Sequence, residues 1–166
     1  LILGVSGVCI GASVMMSRFY GADEKAMLQS ELEATLAMGM CFALPTLVFG
    51  LILSPQILTA MRVPQSILPE AAAYMRMIFI GMPFTCLYNI YAAALRSIGE
   101  ARVPSGYLIL STVINMALDL LFVIGFHWGA FGAGLATAIA QAVSAILCVL
   151  HVQRRIPYLR CTWPIQ

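Results

Sequence analysis

Asp119 stands alone as an acid deep inside an apolar run, residues 104–126. An ionised Asp at the centre of a membrane-buried helix costs about 2.5–3.5 kcal/mol on insertion scales, so a carboxylate kept there points to ion handling. The competing reading is a structural carboxylate, protonated or locked in a salt bridge. Asn115 lies four residues earlier and shares its helix face. Ser111 and Thr112 extend that face by another turn, and Thr137, Gln141 and Ser144 form a second polar row in the next apolar run. Any single Ser or Thr in such a run ordinarily bonds the i−4 carbonyl of its own helix. Two facing rows imply more, because carboxylate, amide and hydroxyl oxygens together suit a hard cation such as sodium. The same carboxylate could instead carry a proton, since desolvation favours its neutral form. The residues themselves leave both ions open.

Rows of this kind work only if helices hold them at depth. Of the 166 residues, 61% are hydrophobic and 10% charged, against about 25% charged in a soluble domain. Mean hydropathy is +0.94. There are too few polar residues to coat a soluble core, so lipid must be the main solvent. Apolar stretches cover about 1–17, 34–53, 70–93, 104–126 and 130–150. The last four reach the ~20 residues that cross a bilayer. Backbone groups in lipid must be paired within their own segment, which makes these stretches helices. The links at 21–25, 62–65, 96–102 and 127–129 are short and should reverse the chain. The expected fold is all-α: a polytopic transmembrane bundle of five antiparallel spans. Arg18, Lys25, Arg96, Arg102, Arg154, Arg155 and Arg160 gather at one side, and Arg62 and Arg76 at the other. The positive-inside rule puts the larger group in the cytoplasm. Asp119 and Thr137 each sit about seven residues, ~10 Å, from the outer ends of their spans, which should place them level.

Other residues have plainer roles. Arg76 lies ~9 Å into the third span, where it either snorkels to the outer interface or pairs with Asp119. Tyr74, Thr112 and Gln141 are candidates to line a cavity beside Asp119, although Tyr74, like Trp128, also suits an interfacial belt. His127 and His151 flank span ends and are expected at the interface. Cys9, Cys41, Cys86 and Cys148 read as small apolar fillers and Cys161 as a tail residue, with no spacing for a metal or disulfide. Gly7, Gly11, Gly129, Gly132 and Gly134 are expected at helix contacts, and Pro45 and Pro83 at kinks. No basic run suits nucleic acid. With one buried acid and no mid-span histidine, no enzyme is expected, and no cofactor beyond a coupling ion. The chain opens inside an apolar stretch and ends in what reads as a linker, so it is expected to be cut at the front.

Several motifs resemble those of MATE (multidrug and toxic compound extrusion) transporters. Leu95-Arg96-Ser97-Ile98-Gly99-Glu100-Ala101-Arg102-Val103-Pro104 is similar to the pattern between that family's fourth and fifth helices. Asn115 to Asp119, then Gly129, Gly132, Gly134 and Thr137, resemble its fifth and sixth helices, and Ser17-Arg18-Phe19-Tyr20-Gly21-Ala22 the end of its second. The resemblance implies five spans of a six-helix lobe over 1–153, with the first helix missing, and a cytoplasmic linker at 154–166 toward an absent second lobe. It implies a multi-pass protein of the plasma (inner) membrane, the ends of this chain on opposite sides. It implies secondary active efflux of organic cations or amphipathic drugs, coupled to sodium or proton entry, with membrane lipid and small molecules as partners. In some members a cation site joins an Asp of the first helix to residues matching Asn115, Asp119 and Thr137. A related flippase or exporter of lipid-linked sugars, or a structural membrane subunit, is the alternative.

Overall fold

A computed structural model describes residues 2–159, leaving aside the side chains of residues 2–6 and 158. Arg160 of the expected cytoplasmic group and the expected tail residue Cys161 lie outside the described residues. The chain forms α1 (Ile2–Gly21), α2 (Lys25–Ala60), α3 (Leu68–Ser97), α4 (Arg102–Asp119) and α5 (Gly129–Arg155). A π-helical turn, Leu120–Gly125, continues α4, and a 3-10 turn, Pro157–Leu159, follows α5. No strand occurs among the described residues, so the all-α bundle is as expected. Among the described residues, four helices are long and apolar enough to cross a membrane: α2, α3, α4 with its π turn, and α5.

The helices overrun the apolar stretches. The 36 residues of α2 span about 54 Å, well beyond ~30 Å of hydrocarbon. Its overhang is packed rather than loose: Leu28 and Leu32 are fully buried in one cluster with Met16, Val152, Ile156 and Leu159. The first residues past α5 are therefore docked on the bundle. Pro45 and Pro55 fall inside α2 and Pro83 inside α3, each removing one helical hydrogen bond while the helix continues.

α3 is the hub, packing against α1, α2 and most extensively α5, which in turn carries α4. Lipid tails are as apolar as leucine, so close packing rather than the hydrophobic effect must hold such helices together. Small residues supply it: Ala92, Ala93 and Ala94 on α3, and Ala136, Ala138 and Ala140 on α5, are buried. A Cβ at Gly134 would lie 2.7 Å from Met77 Cβ, and one at Gly132 would lie 2.9 Å from Phe122 Cβ. Those two glycines sit at helix contacts as expected. Gly7, Gly11 and Gly129 do not, having nothing within 4 Å of a Cβ position; Gly7 and Gly11 lie on a face of α1 turned away from its neighbours. Gly129 instead serves the turn into α5, at φ +54, directly after His127 at φ +55 and Trp128. α3 and α4 follow one another through a short link, yet they touch little and are tied by Tyr88, whose hydroxyl donates to Pro104 O at 2.9 Å.

Candidate functional site

The interface between α4 and α5 is where the polar rows meet. Ser111 is buried and its hydroxyl donates across the interface to Ala140 O at 2.7 Å. One turn further along α4, Asn115 Nδ2 approaches Thr137 Oγ1 at 3.5 Å, and that hydroxyl donates to Ala133 O at 3.0 Å. These pairings confirm antiparallel neighbours. Another turn on comes Asp119, whose Oδ1 is buried and has no hydrogen-bond partner. Leaving a charged acceptor unsatisfied costs more than the ~1–3 kcal/mol of a neutral group. The carboxylate is thus suited to take up a cation or a proton. Beside it, Asn115 Oδ1 and Thr137 Oγ1 are further oxygen donors of the right chemistry for a hard ion.

Asp119 and Thr137 are not level. The register of Ser111 with Ala140 and Asn115 with Thr137 sets Asp119 about one turn nearer the α4–α5 connection than Thr137. The π turn contributes part of the offset. Its bonds close wider rings, as Phe126 N–H to Leu121 O shows at 3.0 Å, so six residues climb less than six α-helical ones. Gly132 receives the bulge, a Cβ there meeting Phe122 Cβ, Phe122 C and Trp128 Cβ within 3.2 Å. Phe122, Phe126, Trp128 and Phe131 form a ring cluster over this end, with centroids 5.2–6.2 Å apart.

The other candidates scatter around this core. Thr112 is exposed and back-bonds to Leu108 O at 2.9 Å, because three residues from Asn115 carries it to the flank facing away from α5. Gln141 is half-buried on α5, its carbonyl accepting from Ser144 at 2.9 Å. Tyr74 is exposed and packs its ring edge near Gly134. Arg76 is exposed, and the ion pairs described, Lys25–Asp23 and His151–Glu100, do not include it. It does not clamp Asp119. Among the described residues no group of three or more His, Cys, Asp or Glu could hold a metal; any ion here would rest on one carboxylate and neutral oxygens. Cys9, Cys86 and Cys148 are buried and free, whereas Cys41 is exposed.

Two features escaped the sequence reading. The π turn begins directly after Asp119, where such turns often mark functional sites, but no residue pattern announces it. His151 is not simply interfacial: its Nδ1 lies 3.1 Å from Tyr107 Oη and its Nε2 3.5 Å from Glu100 Oε2. The i−4 step from Ser111 to Tyr107 was available as a signal.

The fold and seam define a multi-pass α-helical membrane protein in which, among the described residues, the Oδ1 of half-buried Asp119 is buried without a partner. The chain belongs to the MatE family, whose profile matches residues 1–121. It is similar to the probable multidrug resistance protein YoeA of Bacillus subtilis (strain 168), 30% identical over 153 residues, covering 90% of this chain and 33% of that protein. The multidrug export protein MepA of Staphylococcus aureus (strain NCTC 8325 / PS 47) is 27% identical over 149 residues, 87% of this chain and 32% of that one. The chain thus spans about a third of the length of these curated relatives. Two solved structures share the fold at 20% identity. One, an inward-facing multidrug resistance MATE family transporter of the MOP superfamily, has a TM-score of 0.87 over 93% of this chain and 36% of its own. The other, a MATE in the bent conformation, reaches 0.89 over 98% and 37%.

Proposed function

We propose that the complete protein exports amphipathic or cationic drugs by secondary active antiport, and that this bundle carries a coupling site for sodium or a proton at Asp119, Asn115 and Thr137. The observation that carries this reading is the buried Oδ1 of Asp119, one turn from the Asn115–Thr137 pair and without a partner. Asp119 supplies the charge, and Asn115 and Thr137 supply neutral oxygens. Binding there neutralises a carboxylate that is otherwise costly at membrane depth. The helix end bearing Arg18, Arg96 and Arg154 faces the cytoplasm of a plasma membrane on this reading. The names of the relatives favour drug transport over enzymatic or purely structural roles.

The test uses the complete protein in vesicles, exporting a cationic dye under sodium and proton gradients imposed separately. Asp119→Asn should abolish gradient-driven export while leaving expression intact. Undiminished export by that variant under both gradients would remove Asp119 from the coupling mechanism.

A further inference from the structure

The polar row on α4 does not stop at Ser111. One more step of four residues reaches Tyr107, so Asp119, Asn115, Ser111 and Tyr107 lie along one inclined ridge of α4, which winds about 40° around the helix at each step. Three of the four are engaged across the interface: Asn115 with Thr137, Ser111 with Ala140, and Tyr107 with His151. Asp119, at the end toward the α4–α5 connection, is half-buried and its Oδ1 is left without a partner. The file runs about 18 Å along the axis, from the deep carboxylate to the basic end of the bundle. Other α4 residues over the same length are apolar and exposed, among them Leu108, Ile109, Val113 and Met116. Thr112, which bonds back to its own helix, is the polar exception on that outer surface.

The seam is shut midway and opens at the basic end. Ser111 is 5% exposed, whereas the side chains of His151 and Glu100 are 19% and 47% exposed. With the imidazole neutral, the Tyr107 hydroxyl donates to Nδ1, and Nε2–H is left to donate to Glu100. One ring then ties together the α3–α4 link, α4 and α5. Arg96 of α3, Arg102 of α4, and Arg154 and Arg155 of α5 stand at the same end. The Glu100 carboxylate offsets that positive charge at the mouth.

Resting on the reading of Asp119 as the coupling carboxylate, we propose that the α4–α5 seam is the route by which the coupling cation, sodium or hydronium, passes between Asp119 and the basic end, with Tyr107, His151 and Glu100 as the gate at its mouth. Successive polar groups on α4 are about 6 Å apart, a gap that one bridging water spans. An arriving cation competes with His151 for the Glu100 carboxylate. When Glu100 turns to the cation, the imidazole loses its acceptor and the link between helices loosens. The backbone of Glu100 stays in place, its N–H held by Leu95 O at 2.9 Å, so the gate is a movement of side chains.

The experiment uses the complete protein in proteoliposomes, its cysteines replaced except for Ser111→Cys, with Ser144→Cys as a second reporter. A small, charged methanethiosulfonate reagent is added at the basic end. Glu100→Gln keeps the shape of the gate but replaces a charge-assisted hydrogen bond with a neutral one, and should speed labelling about fivefold. His151→Gln should do the same. Labelling rates at both reporters that ignore Glu100→Gln and His151→Gln overturn the gate, even where Asp119→Asn abolishes coupled export. Faster labelling, with Asp119→Asn still exporting under both the sodium and the proton gradient, overturns Asp119 as the coupling carboxylate and with it the seam as the cation's route. Faster labelling with coupling lost supports both, and the gradient whose effect is lost names the ion.

Discussion

Gly134→Leu tests whether close approach, rather than the general abundance of glycine in membrane helices, fixes that position. A Cβ at 134 would lie 2.7 Å from Met77 Cβ, 3.1 Å from Tyr74 O and 3.3 Å from Tyr74 Cδ2. Carbon–carbon contacts settle near 3.5–4.0 Å, so α3 and α5 would have to part by about 1 Å for the first carbon alone. Met77 Cβ and Tyr74 O are fixed to the backbone and cannot rotate aside. Overpacking of this kind costs ~1–3 kcal/mol, and a whole leucine side chain belongs at the upper end. Leucine regains somewhat under 1 kcal/mol of helix propensity over glycine. The net loss is about 2 kcal/mol, a fall of several degrees in melting midpoint. Gly106→Leu is the control, since nothing lies within 4 Å of its Cβ position. The assay heats the purified complete protein in detergent and follows loss of the monodisperse peak. A Gly134→Leu midpoint equal to that of Gly106→Leu would refute the packing argument.

Two further outcomes follow from the same geometry. A Cβ at Gly50 would fall onto the Phe79 ring, so Gly50→Ala should cost ~1–3 kcal/mol in the same assay, and Phe79→Ala in the same chain should recover part of it, a coupling that a double-mutant cycle reads directly. Thr137→Val removes the hydroxyl that meets Asn115 and donates to Ala133 O; stability should change by only about 0.6 kcal/mol, while the sodium dependence of export weakens if sodium is the coupling ion, and an unaltered sodium response would assign coupling to protons or another site.

The sequence revealed the helices because lipid permits so few backbone solutions, and it marked Asp119, Asn115 and Thr137 as candidates because polar residues in an apolar run are conspicuous. It misplaced their relative depth. Counting residues from span ends assumes a uniform rise, and the π turn at Leu120–Gly125 breaks that assumption. It also drew Thr112 into the site on spacing alone. Ser111 and Thr112 are adjacent in the chain, yet one bonds across to α5 and the other back to its own helix. Deciding between them needs the azimuth of the partner helix, which spacing does not supply. Tyr107 and His151 were unpaired in the sequence because 44 residues separate them.

The two faces of α5 divide the labour of holding this lobe. Toward α3 it presents Gly134, close to Met77 and Tyr74, and Ala138, against Gly81, and the contact is made by backbone approach and dispersion. Toward α4 it presents hydrogen-bonding groups, from Ala140 O and Thr137 to His151. Close packing does not depend on charge, so α3 and α5 form a unit indifferent to what sits at Asp119. The α4 contact does depend on it, because an unpartnered carboxylate lies on the same file of residues. A π turn, with its wider rings, stands at the end of that file. On the proposed coupling role, neutralising Asp119 should act first on α4, with α3 and α5 as the frame against which it moves.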